Sequence, residues 1–116
     1  MKVRRIVATI STPDIGAAQR FYHDIFGLEI LMDHGWIATY GSQEAAPAQI
    51  SFASEGGSGT PVPDLSIEVD DLDDALERVR RAGFPVEYGP AEEPWGVRRF
   101  YLRDPFGKCV NVLSHI

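Results

Sequence analysis

The chain repeats itself, and the repeat limits what it can fold into more than any single motif does. Asp14-Ile15 opens an apolar stripe that closes at Gly27; Asp71-Leu72 opens a second that closes at Gly83, at an offset of 57 and with one residue fewer. Around each stripe the patterns follow one order: strand, helix, strand, strand, strand. Two such units can set their sheets side by side and curl around a shared cleft, with helices covering the outside. The expected fold is therefore α+β, two tandem βαβββ modules forming a curled mixed sheet around a cleft, helices on the outer face. Residues 1–116 make one domain, with module 1 at 1–54, a connector at 55–62 and module 2 at 63–116.

In the first half, Val3 to Ile10 is β-branched and strand-like. Ser11-Thr12-Pro13-Asp14 is a helix-start signal, and Ile15, Ala18, Phe21, Tyr22 and Ile25 fall at helical spacing up to about Phe26. Strands follow at Leu28 to Met32, Trp36 to Tyr40 and Gln49 to Ala53, separated by a turn at Asp33-His34-Gly35 and a loop at Gly41 to Pro47. The Gly- and Ser-rich run Ser54 to Pro61 has the composition of a flexible connector. In the second half, Pro63 to Val69 is a strand. Acids crowd the start of a helix whose stripe is Leu72, Ala75, Leu76, Val79 and Ala82. Val86 to Tyr88 begins a strand, and Gly89 to Glu93 is expected to loop.

The last quarter is a hairpin about Asp104-Pro105-Phe106-Gly107, where proline presets a turn and glycine supplies a positive φ. Alternation puts Arg99 and Tyr101 on one side of its first strand, and Cys109, Asn111 and Leu113 on one side of its second. Two readings stay open for Arg99, Tyr101 and Asn111: the polar end of a binding cavity, or a face turned to water. Cys109 reads as a small core residue, since no histidine sits near it in the pattern to activate it.

Composition closes off several classes of function. With 17 acidic against 11 basic residues and a net charge of −6, the chain lacks the basic surface that nucleic acid requires. No apolar run is long enough to span a membrane, and the N-terminus has no signal-peptide pattern. A single cysteine rules out an internal disulfide and a multi-cysteine zinc site, so a cytoplasmic location is expected.

Taken together, Ser11-Thr12-Pro13-Asp14 followed by Phe21-Tyr22, Phe26-Gly27-Leu28-Glu29, Val69-Asp70-Asp71 and Arg103-Asp104-Pro105-Phe106-Gly107-Lys108 resemble the vicinal oxygen chelate superfamily. Its members include glyoxalases, bleomycin-resistance proteins and extradiol dioxygenases. The resemblance implies metal-ligand positions on the first, fourth, fifth and eighth strands. Here these fall on Val7, on Gln49 or alternatively Ser51, on Asp64 and on Asn111. Only Asp64 is a strong donor, so no metal and no cofactor is expected. The resemblance also implies a homodimer.

The expected function is that of a metal-independent small-molecule-binding protein of the glyoxalase/bleomycin-resistance type, sequestering an aromatic or carbonyl-containing compound. Candidate ligand-binding residues are Trp36, Gln49, Asp64, Trp95, Arg99, Tyr101 and Asn111. Arg99 suits a carboxylate, phosphate or polarised carbonyl, Tyr101 a hydrogen bond or a ring, and the tryptophans an apolar wall. Asp64 is either an amine partner or base, or a solvated acid at a strand start. The rival is a glyoxalase- or dioxygenase-type enzyme with an atypical metal site, or with Asp64 and Tyr101 as catalytic residues.

Overall fold

The computed structural model describes residues 1–43 and 49–116, so most of the loop expected over Gly41 to Pro47 lies outside the described residues. The strands are β1 (Val3–Ser11), β2 (Glu29–Asp33), β3 (Ile37–Gly41), β4 (Gln49–Ala53), β5 (Leu65–Val69), β6 (Val86–Glu93), β7 (Val97–Arg103) and β8 (Cys109–His115); helix α1 is Leu72–Arg81. This is an α+β chain with mixed strand pairing, as expected. Among the described residues, no helix is long and apolar enough to cross a membrane.

The chain divides into two compact units, Val7–Val62 and Met1–Ile6 with Pro63–Ile116. In the first, β1 runs parallel to β4, and β3 lies antiparallel to both β4 and β2. In the second, β5 runs parallel to β8, which pairs antiparallel with β7, and β7 with β6. The registers coincide. Thr9 lies opposite Ser51 as Ser66 lies opposite Asn111, and Thr39 meets Ser51 as Tyr101 meets Asn111.

Helix α1 forms where the acids predicted it. The Asp71 side chain caps it by accepting from the Asp74 N–H at 3.0 Å, and Gly83, at φ 86°, turns the chain out at its end. Its Leu72, Ala75 and Leu76 pack on Val69, Phe100, Leu102, Val110 and Val112, with Phe100 fully buried. The hairpin turn is also as read: Asp104 Oδ1 accepts from the N–H groups of Phe106 (2.8 Å) and Lys108 (2.9 Å), and Gly107 has φ 78°.

Three expectations are corrected. The helix expected from Asp14 to Phe26 is reduced to a five-residue π-helical segment, Gln19–His23, in which Asp24 N–H reaches back to Gln19 O. Gly16 in the first turn and aromatic or β-branched residues beyond it are poor helix formers. Ile15, Ala18 and Tyr22 still pack on Ala38, Tyr40 and Phe52, whereas Ile25 is exposed. The segment Gly89 to Glu93, expected to loop, continues β6, with Ala91 paired to Arg99 and Glu93 to Val97; register shifts before Ala91 hid the alternation. The connector's composition suggested flexibility, but it closes on itself: Gly56 N–H donates to Thr60 O, Thr60 N–H to Gly57 O, and the buried Thr60 hydroxyl also donates to Gly57 O.

Residues 1–6 group with the second half, although the repeat assigned them to the first module. Charge explains this. The Met1 amino group lies 2.6 Å from Asp74 Oδ2, Lys2 N–H donates to Asp70 Oδ1 at 2.7 Å, and Arg5 Nε donates to Glu68 Oε1 at 2.6 Å. His115 Nδ1 lies 3.0 Å from the other Glu68 oxygen.

Burial alone would raise the Glu68 carboxyl, but hydrogen bonds from His115 and Arg5 outweigh it and hold it below the usual glutamate range. The backbone N–H of Lys2 lowers Asp70, and the terminal ammonium lowers Asp74. Carboxyls lowered by folding contribute stability that is complete above their unfolded range, about pH 4, and lost as pH falls through the lower folded values. The melting temperature should therefore hold between about pH 7 and 5 and drop below about pH 4, and Glu68→Gln should make that acid limb shallower in a pH series of thermal melts.

Candidate functional site

The polar face predicted from alternation exists on the unit formed by residues 1–6 and 63–116, on the side of the sheet away from α1. Val110, Val112, Phe100 and Leu102 point to the helix side and belong to its core. The intervening Arg99, Tyr101 and Asn111 share the opposite face, where Tyr101 is the cross-strand partner of Asn111.

Arg99 is the centre of this face. Its side chain is 3% exposed, and its Nη2 donates to Glu93 Oε2 at 2.9 Å; the Glu93 side chain is equally buried. Nη1 donates to the Tyr101 hydroxyl at 3.0 Å, and the Tyr88 hydroxyl donates to Glu93 Oε1 at 2.9 Å. Three rings surround the guanidinium, with centroids 4.9 Å (Trp95), 5.0 Å (Tyr101) and 5.4 Å (Tyr88) from its carbon. Tyr88 and Tyr101 themselves meet edge to face, with centroids 5.5 Å apart.

Local sequence builds this arrangement. The turn Glu93-Pro94-Trp95-Gly96, closed by Gly96 N–H on Glu93 O and with Gly96 at φ 92°, sets Trp95 between β6 and β7. It also returns the chain so that Glu93 pairs with Val97, two residues from Arg99 and on the same face. Gly89 lets β6 approach closely, because a Cβ there would stand 2.5 Å from the Arg99 carbonyl oxygen.

Asn111 is 7% exposed. Its Nδ2 donates to Ser66 Oγ at 3.1 Å, and among the described residues its Oδ1 has no hydrogen-bond partner. In the other unit the counterparts of Tyr101 and Asn111 are joined side chain to side chain: Thr39 Oγ1 and Ser51 Oγ, both buried, lie 2.7 Å apart.

Of the sequence-predicted residues, the structure brings Arg99, Tyr101 and Trp95 into contact and sets Asn111 beside Tyr101. Asp64 is exposed and ties down the start of β5: its Oδ2 accepts from Cys109 N–H at 2.8 Å, and its own N–H donates to Cys109 O. Trp36 and Gln49 belong to the other unit. Trp36 stacks on His34 with centroids 6.3 Å apart, and half-buried Gln49 begins β4 opposite Gly41. The shared register makes Ser51, not Gln49, the counterpart of Asn111.

Glu93 and Tyr88 were not among the predicted site residues, and both prove central to the cluster. The signal available was the spacing from Glu93 to Arg99 across a Pro-Trp-Gly turn, which a β-turn closes onto one face. Arg99 was expected to suit a ligand carboxylate, phosphate or polarised carbonyl; in the structure it pairs with the carboxylate of Glu93. Burial pushes the Cys109 thiol up, which keeps it protonated and inert as a nucleophile near neutral pH.

The residues at the metal positions implied by the resemblance do not fit a divalent ion. Val7 has no donor atom, the Ser51 hydroxyl is engaged with Thr39, Asp64 Oδ2 with Cys109 N–H, and Asn111 is a neutral amide. Among the described residues, no three His, Cys, Asp or Glu side chains are grouped so as to hold a metal.

A duplicated β-helical-βββ chain of this register defines a fold class, and the sequence agrees with it. It matches the Glyoxalase/Bleomycin resistance protein/Dioxygenase superfamily over residues 4–112, and the chain belongs to that family. A search of curated proteins finds no significant sequence match. Among solved structures, the chain is similar to NAD-dependent benzaldehyde dehydrogenase from Legionella pneumophila, at 11% identity and TM-score 0.77, covering 97% of this chain and 100% of that one. It is similar to a superfamily member from Vibrio splendidus 12B01, at 16% identity and TM-score 0.67, covering 99% and 100%. Methylmalonyl-CoA epimerase from Mycobacterium tuberculosis is also similar, at 19% identity and TM-score 0.62, covering 98% and 87%. At these identities the likeness is one of fold.

Removing one partner of a buried ion pair leaves the other charge uncompensated, at a cost of about 3–5 kcal/mol. Glu93→Ala should lose stability of that order in urea unfolding. The double change Glu93→Leu with Arg99→Met, which buries no charge, should lose clearly less than the single one.

Proposed function

We propose that this protein is a metal-independent small-molecule-binding protein, which holds an aromatic or carbonyl-containing compound on the Arg99–Tyr101–Asn111 face and sequesters it in the cytoplasm. The observation that carries the reading is the Asn111 amide. A buried carbonyl oxygen without a partner costs about 1–3 kcal/mol, and a ligand donor would remove that cost. Tyr101, the cross-strand partner of Asn111, and Trp95, against the Arg99 guanidinium, bring aromatic rings to this face. The enzyme reading, with Asp64 as base, has less behind it, because that carboxylate is exposed and tied to Cys109 N–H.

The proposal includes a homodimer. Ile10, Ile25, Phe26, Ile30 and Leu31 are all exposed in the unit Val7–Val62, more large apolar surface than a lone chain of this size needs to leave in water. Light scattering on the purified protein should give twice the mass of one chain.

Function is tested by thermal shift of metal-stripped protein against aromatic compounds and 2-oxo acids, each with and without divalent ions. A ligand at 100 times its dissociation constant should add about 2.7 kcal/mol of stability. The expected result is stabilisation by an aromatic compound regardless of metal, weakened in Asn111→Ala and Tyr101→Phe. Stabilisation only in the presence of an ion would overturn the proposal in favour of a metalloenzyme.

A further inference from the structure

Among the described residues, Arg99 Nε and Asn111 Oδ1 are buried side-chain polar atoms to which no hydrogen bond is made. The first is a donor and the second an acceptor. They belong to neighbouring strands and share one face. Arg99 lies opposite Leu113 and Tyr101 opposite Asn111, so Arg99 and Asn111 are diagonal neighbours, about 7–8 Å apart at the backbone and within reach of a long side chain. The guanidinium is held by donation from Nη2 to Glu93 and from Nη1 to the hydroxyl of Tyr101, the cross-strand partner of Asn111. The amide is oriented from its other side: β8 lies between β5 and β7, and Asn111 Nδ2 donates to Ser66 Oγ on β5 at 3.1 Å, which turns Oδ1 away from β5. The opposite turn would send the amide N–H groups toward the strand that carries the guanidinium, donors beside donors.

From this complementarity we infer that the site recognises the cis-amide edge of a flat ring, a lactam or cyclic imide: the ligand C=O accepts from Arg99 Nε–H while its adjoining N–H donates to Asn111 Oδ1. The inference rests on the reading above that this face is the binding site, and it names the chemical class of the ligand. A ligand with an acceptor alone answers Arg99 and leaves the Asn111 oxygen unmet; a ligand with a donor alone does the reverse. Each half-match keeps one buried polar atom unsatisfied in the complex, and that atom can no longer find water. A site that bonds both a ligand N–H and a ligand C=O therefore rejects the close analogue that lacks either. The rings around the guanidinium bring apolar surface to the same face.

The test uses three flat, uncharged probes: 2-quinolone, which carries the whole edge; N-methyl-2-quinolone, which keeps the carbonyl and loses the donor; and indole, which keeps a ring N–H and has no carbonyl. Each is titrated into isotopically labelled protein while the Arg99 Nε–H and Asn111 side-chain amide signals are followed by NMR. In the wild type 2-quinolone should shift both signals, with a dissociation constant at least tenfold below those of the other two, a difference of about 1.4 kcal/mol. Asn111→Leu keeps the bulk and removes the acceptor. In that variant the advantage of 2-quinolone over its N-methyl derivative should fall below threefold, while the N-methyl derivative itself binds as it does to the wild type.

A wild-type protein that binds N-methyl-2-quinolone or indole as tightly as 2-quinolone overturns the inference and leaves the site standing. So does a folded Asn111→Leu variant in which the preference for 2-quinolone is unchanged. If none of the three probes moves the Arg99 or Asn111 signals of the wild type, the two atoms are served by water alone; the reading of this face as a site then falls, and the inference with it.

Discussion

Parallel pairing of the first strand of each unit with its last is the constraint from which the rest follows. It brings Thr9 opposite Ser51 in one unit and Ser66 opposite Asn111 in the other, and the antiparallel strand on the far side then has one register left that keeps its apolar residues on the helix side. Phe100, Val110 and Val112 go to the core under α1. Arg99, Tyr101 and Asn111 have to go to the other face together. A slip of one residue would exchange the two sets, placing a guanidinium under the helix, so core packing and site geometry are settled by the same register.

Strand period, turn chemistry and duplication were therefore legible. Asp104-Pro105-Phe106-Gly107, the Asp71 cap and the shared face of Arg99 and Tyr101 each follow from local rules acting on a few residues. What was not legible depended on tertiary context. The stripe from Ile15 to Ile25 has helical spacing, but spacing does not report whether the backbone closes i to i+4 or i to i+5; Ile15, Ala18 and Tyr22 find apolar partners, Ile25 is exposed, and the Phe21 side chain lies outside what the structure describes. In β6 the irregular pairing around Gly89 removed the alternation by which a strand is recognised. Residues 1–6 were assigned by position in the repeat, whereas their company is decided by ion pairs with Glu68, Asp70 and Asp74, distant in sequence.

Arg99 illustrates a general difficulty with charged residues on predicted cavity faces. Sequence places the charge; it does not say whether that charge has been spent. Here Glu93, six residues earlier and across a turn, pairs with it, and the rings of Tyr88, Trp95 and Tyr101 lie around the guanidinium. A buried pair of this kind contributes little net stability over an apolar replacement.

The Thr39–Ser51 pair has a consequence of its own. The two halves share a scaffold down to the residue register, yet one carries an unfinished amide and the other two short hydroxyl side chains that finish each other. Duplication has given this chain a redundant frame. One copy closes on itself through Thr39 and Ser51, while the other leaves the Asn111 carbonyl without a partner among the described residues, so one frame carries two different side-chain chemistries.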